Sequence, residues 1–184
     1  MDSLTELLTN KSLERYLLSQ AYEVALESPD PSTQNGAVLV RPDTPTIIRA
    51  KGFNRFPRGI AYTNERWQRP LKYRCILHAE TNAIYDATRQ GVSTVGMVLI
   101  CCWAACSECA KAMIETGIVA LITHDDAHVR NARDRDPNDP SLVHWKEEIL
   151  LANQFFSEAQ RAVIFYRGKI GATPVRMDGK LWHP

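Results

Sequence analysis

Four residues stand out by type and spacing: His78 and Glu80 in His78-Ala79-Glu80, and Cys106 and Cys109 in Cys106-Ser107-Glu108-Cys109. An imidazole and two thiolates form a zinc-binding set, and a catalytic zinc takes three protein ligands while keeping a fourth position open for water. His78, Cys106 and Cys109 supply three, and no fourth ligand of comparable quality lies beside the motif. Glu80, two residues from His78, projects in a different direction on a helix, which suits it to reach over the metal and handle protons. A Cys-x-x-Cys at a helix N-terminus places both sulfurs near free N–H groups and the positive end of the helix dipole, which favours the thiolate. Each half alone is weak: His-x-Glu is common by chance, and Cys-x-x-Cys also fits a redox pair or half of a structural zinc site. Together, each at the head of an expected helix, they point to catalytic zinc. Cys75, Cys101 and Cys102 read as packing residues, and Cys75 nears the metal only if its loop folds back.

The elements that must position these residues are expected as follows. A capping box at Ser3-x-x-Glu6 marks a short first helix. Ser12 to Glu27 has apolar residues at the helical period and is stopped by Pro29 and Pro31. Ala37–Val40 and Thr46–Ala50 read as two strands of a hairpin around a turn at Arg41–Pro45. Gly52 to Arg74 reads as a long ordered loop. Helices follow at His78 to about Gln90, at Ser107–Thr116, and along the face of Leu142, Trp145, Ile149, Ala152 and Phe156. Strands are expected at Met97–Cys101, Ile118–Thr123 and Ala162–Tyr166. The tail from Arg167 has no clear period, and its structure stays open. Strands alternating with helices imply parallel pairing, with the first hairpin adding an antiparallel edge. The expectation is an α/β chain: a three-layer α/β/α sandwich around a five-stranded mixed sheet, a single domain over 1–184 with a core at about 12–166 and a tail at 167–184.

Composition narrows the function classes. The 184 residues are 45% apolar and 23% charged, an ordinary globular mix. Lys and Arg number 22 against 21 Asp and Glu, a net charge of +1, which argues against a global grip on duplex nucleic acid or an anionic membrane. No apolar run approaches the ~18 residues of a membrane span. The acidic start Met1-Asp2-Ser3-Leu4-Thr5-Glu6 lacks the features of a signal peptide, so a cytoplasmic location is expected. Five cysteines without an export signal fit thiols and metal ligands better than disulfides.

His-x-Glu followed by Pro-Cys-x-x-Cys is the general pattern of zinc nucleobase deaminases, which this chain resembles except that Ala105 stands where the proline would. The resemblance is more specific in the flanking text. Asp30-Pro31-Ser32-Thr33-Gln34-Asn35-Gly36-Ala37, Gly52-Phe53-Asn54-Arg55, Lys72-Tyr73, His78-Ala79-Glu80-Thr81-Asn82-Ala83-Ile84 and Cys106-Ser107-Glu108-Cys109-Ala110-Lys111 look, in order and spacing, like segments of the deoxycytidylate (dCMP) deaminase family. The likeness is close over roughly 28–123. It implies a cytidine deaminase-like fold, Zn2+ on His78, Cys106 and Cys109, and Glu80 as proton shuttle. It also implies that Asn54 binds the sugar or its substituents, the Ala79 N–H the pyrimidine carbonyl, and the Ala104 C=O the leaving amino group. Hydrolysis of dCMP to dUMP and ammonia follows, in a homo-oligomer, typically a hexamer, with dCTP and dTTP as effectors and Mg2+ accompanying the nucleotide. Arg55 replaces a glycine of the nucleotide loop.

The phosphate needs cationic partners, and Arg55, Arg58, Arg66 and Arg74 in or near the long loop are the candidates. Arg130, Arg133 and Arg135, alternating with Asp134 and Asp136, read as surface. Trp67 either packs over the nucleotide or anchors its loop. The competing readings are a deaminase of dCTP, of a modified dCMP, of a nucleoside or of a tRNA adenosine; a zinc-stabilised nucleotide-binding regulator without turnover; and a thiol redox protein.

Overall fold

The computed structural model describes residues 2–125 and 145–184. Its first helices are α1 (Ser3–Thr9) and α2 (Lys11–Ala25). Asp2, not Ser3, caps α1 by accepting from the Thr5 N–H at 2.8 Å. Asn10 caps α2 in the same way, with the Leu13 N–H at 3.1 Å, so that helix begins one residue before the expected start.

The main sheet comprises β1 (Gly36–Arg41), β2 (Thr44–Phe53), β3 (Val98–Cys101), β4 (Ala120–His124) and β5 (Ala162–Tyr166), in the order β2-β1-β3-β4-β5. Strand β1 pairs antiparallel with both β2 and β3, while β3, β4 and β5 run parallel. The mixed five-stranded sheet is therefore as expected. The edge strand β2 is longer than the expected Thr46–Ala50, because Lys51, Gly52 and Phe53 continue the pairing with Val38, Ala37 and Gly36.

Alternating strand residues sort the core into two layers. Val38, Val40, Val98, Ile100 and Ile122 face α1, α2 and the C-terminal segment. Ala37, Leu39, Leu99, Cys101 and Leu121 face α4 (Ala79–Arg89), α5 (Ser107–Glu115) and α6 (Trp145–Glu158). Two glycines set the closeness of this packing. A Cβ on Gly36 would lie 2.2 Å from the Ala21 carbonyl oxygen of α2, and one on Gly52 would lie 2.2 Å from the Ala83 nitrogen of α4. Gly52 thus lets the first turn of α4 press against the end of β2, where Asn54 accepts the Ala79 N–H.

One expectation is corrected, and the tail, left open by the sequence, takes a definite form. The stretch 52–74 is not one loop: it holds the end of β2, a 3-10 turn at Glu65–Trp67 and the short helix α3 (Leu71–Cys75). Phe56, Tyr62 and Trp67 stack there, with Phe56 and Trp67 centroids 4.1 Å apart, so Trp67 anchors its own loop. The tail forms a hairpin, β6 (Val175–Met177) and β7 (Lys180–Trp182), whose Val175, Met177 and Trp182 enter the core layer of α2. Its two-residue connection, Asp178-Gly179, has φ of 49° and 75°. Asp-Gly with both φ positive is a favoured hairpin turn, and this was the sequence signal for the hairpin. Among the described residues, no helix is long and apolar enough to cross a membrane.

Candidate active site

Two helix N-termini converge on the C-terminal side of the sheet. His78 is the N-cap residue of α4 and Cys106 that of α5, and neither side chain caps its own helix. Both are therefore available for something else. His78 Nδ1 lies 3.4 Å from Cys106 Sγ and 3.4 Å from Cys109 Sγ. Among the described residues, these three form the one cluster of metal-ligand atoms, all within 4.8 Å of one another. Zn–S bonds of about 2.3 Å and Zn–N bonds of about 2.0–2.1 Å at tetrahedral angles place N and S roughly 3.5 Å apart. The cluster fits that ion with little movement.

The electrostatics agree with a cation site. Hydrogen bonds from Cys109 and His78 outweigh burial and hold Cys106 down at about 4, whereas the same bond to Cys106 pushes Cys109 well up. Burial opposes charge on His78, but the hydrogen bond and charge of Cys106 prevail and raise it to about 9. A divalent metal requires both thiolates and a neutral imidazole, so its binding displaces protons from this cluster.

Glu80 sits in the first turn of α4, 2% exposed. It lines the same cavity as His78 and Cys106, and its Oε2 has no hydrogen-bond partner among the described residues. Burial raises its pKa to about 7, against the pull of His78. A buried carboxyl with an uncommitted oxygen beside a metal cluster is equipped to take and give a proton.

The expected substrate contacts are also brought together. Ala104 and Asn54 line the cavity. Asn54 Oδ1 accepts the Ala79 N–H at 3.1 Å, and its Nδ2 donates to the Thr33 carbonyl at 3.3 Å. The two groups expected to hold substrate separately are thus bonded to each other. Cys101 and Cys102 are buried, and burial raises both thiols well above their ordinary range; Cys75 is half-buried and lies outside the ligand cluster.

The cavity also holds two cations that were not among those expected at the phosphate. Lys72 of α3 and Arg69 line it, together with Asp30 and Thr33. Lys72 Nζ is 2.8 Å from each Asp30 oxygen, and the two side chains are 6% and 0% exposed. Burial lowers the Lys72 pKa, and Asp30 opposes that shift. Of the four arginines expected at the phosphate, Arg55 and Arg58 line a different cavity beside Lys51, Glu27 and Asp86. Arg55 donates to the Phe56 carbonyl and to Asn82 Oδ1, and Arg66 to the Ala61 carbonyl. Arg74 does not line the site cavity. Arg130, Arg133 and Arg135 lie outside the described residues, as does Leu142. Three aromatic residues also line the site cavity: Trp103, Tyr73 and Trp145, the last 5.8 Å from the His78 ring. Trp145 belongs to α6, which is tied to the metal end by Glu148, acceptor for the hydroxyl of Ser107 at 2.5 Å and for its N–H at 3.4 Å.

A three-layer α/β fold with a His/Cys/Cys cluster at two helix N-termini and a buried glutamate defines a zinc deaminase. The family model for the cytidine and deoxycytidylate deaminase zinc-binding region matches residues 11–125, and the chain belongs to that family as a zinc-dependent nucleotide deaminase. It is 32% identical over 132 residues to a deaminase from the luxG 3′ region of Aliivibrio fischeri, covering 72% of this chain and 78% of that protein. It is 33% identical over 119 residues to the deoxycytidylate deaminase of Mus musculus, where the match covers 61% of this chain and 65% of the mouse protein. The fold is similar to that of the cyanophage S-TIM5 dCMP deaminase in complex with dCMP and dUMP, with a TM-score of 0.62 at 18% identity over 87% of this chain and 99% of that one.

Proposed function

We propose that this chain hydrolyses dCMP to dUMP and ammonia, with His78, Cys106 and Cys109 holding zinc and Glu80 moving the protons. The observation that carries the reading is the make-up of one cavity: His78 and Cys106 of the ligand cluster with Glu80, the cations Lys72 and Arg69, and the aromatic rings of Trp103, Tyr73 and Trp145. A nucleoside monophosphate offers the matching parts, an amino-bearing base and an anionic group joined through a sugar. The likeness to deoxycytidylate deaminases favours cytosine as the base and deoxyribose as the sugar.

When bound, zinc supplies a Lewis acid that makes water nucleophilic near neutral pH. The rest falls to this chain's own groups. Glu80, through Oε2, accepts the proton of the attacking water and delivers it to ring N3, which makes C4 electrophilic. The water oxygen adds to C4; Glu80 then takes the remaining proton of that oxygen and carries it to the exocyclic amine, and the C4–N bond breaks to release ammonia as the C4 carbonyl forms. The carbonyl of Ala104, a residue of the cavity lining, accepts from that amine. The Ala79 N–H reaches the pyrimidine carbonyl once Asn54 gives it up, and Asn54 then turns its amide to the sugar. Trp145 and Trp103 confine the base and exclude bulk water.

The assay is ammonia release from zinc-loaded protein offered cytosine, deoxycytidine, dCMP, dCTP and a modified dCMP, with an adenosine-containing RNA as control. The reading expects dCMP to lead by kcat/KM; turnover of the bare nucleoside at the same efficiency contradicts it. The same assay with dCTP, with dTTP and with Mg2+, together with a sedimentation measurement of the oligomer, tests the further proposals of nucleotide effectors and a homo-hexameric assembly of this single domain. Fractionation of the producing cells tests the proposed cytoplasmic location.

A further inference from the structure

The C-terminal hairpin lies beyond the residues that the family model matches, yet it grips the wall of the site cavity. The Gln34 N–H donates to the Arg176 carbonyl at 2.9 Å, and the Arg176 N–H returns to Gln34 Oε1 at 3.0 Å. The Gly179 N–H donates to the Ser32 carbonyl at 2.8 Å, and the Asp178 N–H to Thr33 Oγ1 at 3.3 Å. Arg176 Nη2 reaches the Asp30 carbonyl at 3.4 Å. The hairpin therefore runs along 30–34, a segment that contributes Asp30 and Thr33 to the cavity.

One contact goes further. Asp178 Oδ1, at the tip of the hairpin turn, accepts from Arg69 Nη2 at 3.2 Å, and both side chains are about 30% exposed. The Arg69 guanidinium also lies 5.9 Å from the centre of the Tyr73 ring. It is thus braced on two sides, by a carboxylate and by an aromatic face, and a guanidinium has five N–H donors, so the brace leaves others to offer. Lys72, by contrast, is buried and bound by both oxygens of Asp30. Of these two cations, Arg69 is the one with donors and exposure to spare.

We propose that the C-terminal hairpin buttresses a wall of the substrate site, and that Asp178 is a positioning residue that holds Arg69 ready for the anionic group of the nucleotide. The proposal rests on the reading of the substrate as a monophosphate. It makes the last residues of the chain a determinant of KM, although they lie far in sequence from the zinc motif.

The variant Asp178→Asn tests it without endangering the turn, because Asn tolerates the positive φ of that position. Its KM for dCMP rises about fivefold, in keeping with a part-exposed ion pair, while kcat stays within about twofold. Arg69→Met raises KM by about tenfold or more, the loss expected for a charge-assisted contact. The double variant behaves as Arg69→Met alone, because Asp178 acts through Arg69. An unchanged or lower KM in Asp178→Asn overturns the proposal, as do effects that multiply in the double variant. Wild-type protein that handles deoxycytidine as well as dCMP refutes the monophosphate reading and the proposal with it. A wild-type preference for dCMP that Asp178→Asn leaves intact refutes the positioning role alone.

Discussion

The two parts of the cavity are built on different principles. At the metal end, His78 and Glu80 come from one helix start, and Cys106 and Cys109 from another. Each pair is fixed by local helical geometry, and the packing of α4 on β2 and β1, beside α5, sets the spacing between the pairs. Around the two cations, Asp30, Lys72, Arg69 and Asp178 come from a loop, a five-residue helix, the segment that leads into it and the C-terminal hairpin. Nothing local fixes their relation; ion pairs between distant segments do. Chemistry that tolerates little displacement is placed on rigid local structure, and recognition of a charged group, which tolerates more, is left to long-range pairs.

This contrast is sharpened first at the metal end. Cys106→Ala removes a ligand, and both bound zinc and deaminase activity should be lost; metal analysis of the purified variant beside an ammonia assay checks this, and full activity with normal zinc content would break the assignment. Glu80→Gln should keep zinc while lowering kcat by about 10³-fold or more, the range of a lost acid–base group. Retained turnover there would move the proton-handling role elsewhere.

Around Lys72 and Arg69 the largest expectation concerns stability. Lys72→Met leaves Asp30 buried and unpaired by charge, which should cost about 3–5 kcal/mol in denaturant unfolding. Its cost to kcat should be small beside that of Glu80→Gln; the reverse order would erase the division of labour between the two parts. A smaller effect is expected where α6 meets the metal end. Glu148→Gln weakens the bonds to Ser107, costs about 1 kcal/mol and shifts Trp145 enough to raise KM without loss of zinc. An unchanged KM would separate α6 from substrate binding.

The same division explains what could be read from the sequence. The periodicities of α2, α4 and α5 and the apolar runs of β3 and β4 announce the layers, because propensity and burial act on neighbouring residues. The His78, Cys106 and Cys109 triad was readable for the same reason: the motif spacing is the helix geometry. Lys72 and Arg69 were passed over in favour of Arg55, Arg58, Arg66 and Arg74, because the sequence does not say which way a cation on an irregular segment turns. The ion pair with Asp30 decides it, across 42 positions of chain. The capping of α1 was misread by one residue, since Asp2 and Ser3 are both competent caps and only the Thr5 contact discriminates. The tail had too few residues per strand to show a period, although its Asp178-Gly179 was a legible turn.

The proposed function stands on one cavity that holds both the zinc-ligand cluster with Glu80 and the cations Lys72 and Arg69. It is tested most directly by the ratio of kcat/KM for dCMP to that for deoxycytidine in zinc-loaded protein. The account predicts a ratio of about 100 or more, the worth of two charge-assisted contacts after discount for exposure. A ratio near one, or zinc-loaded protein that releases ammonia from neither, would contradict it.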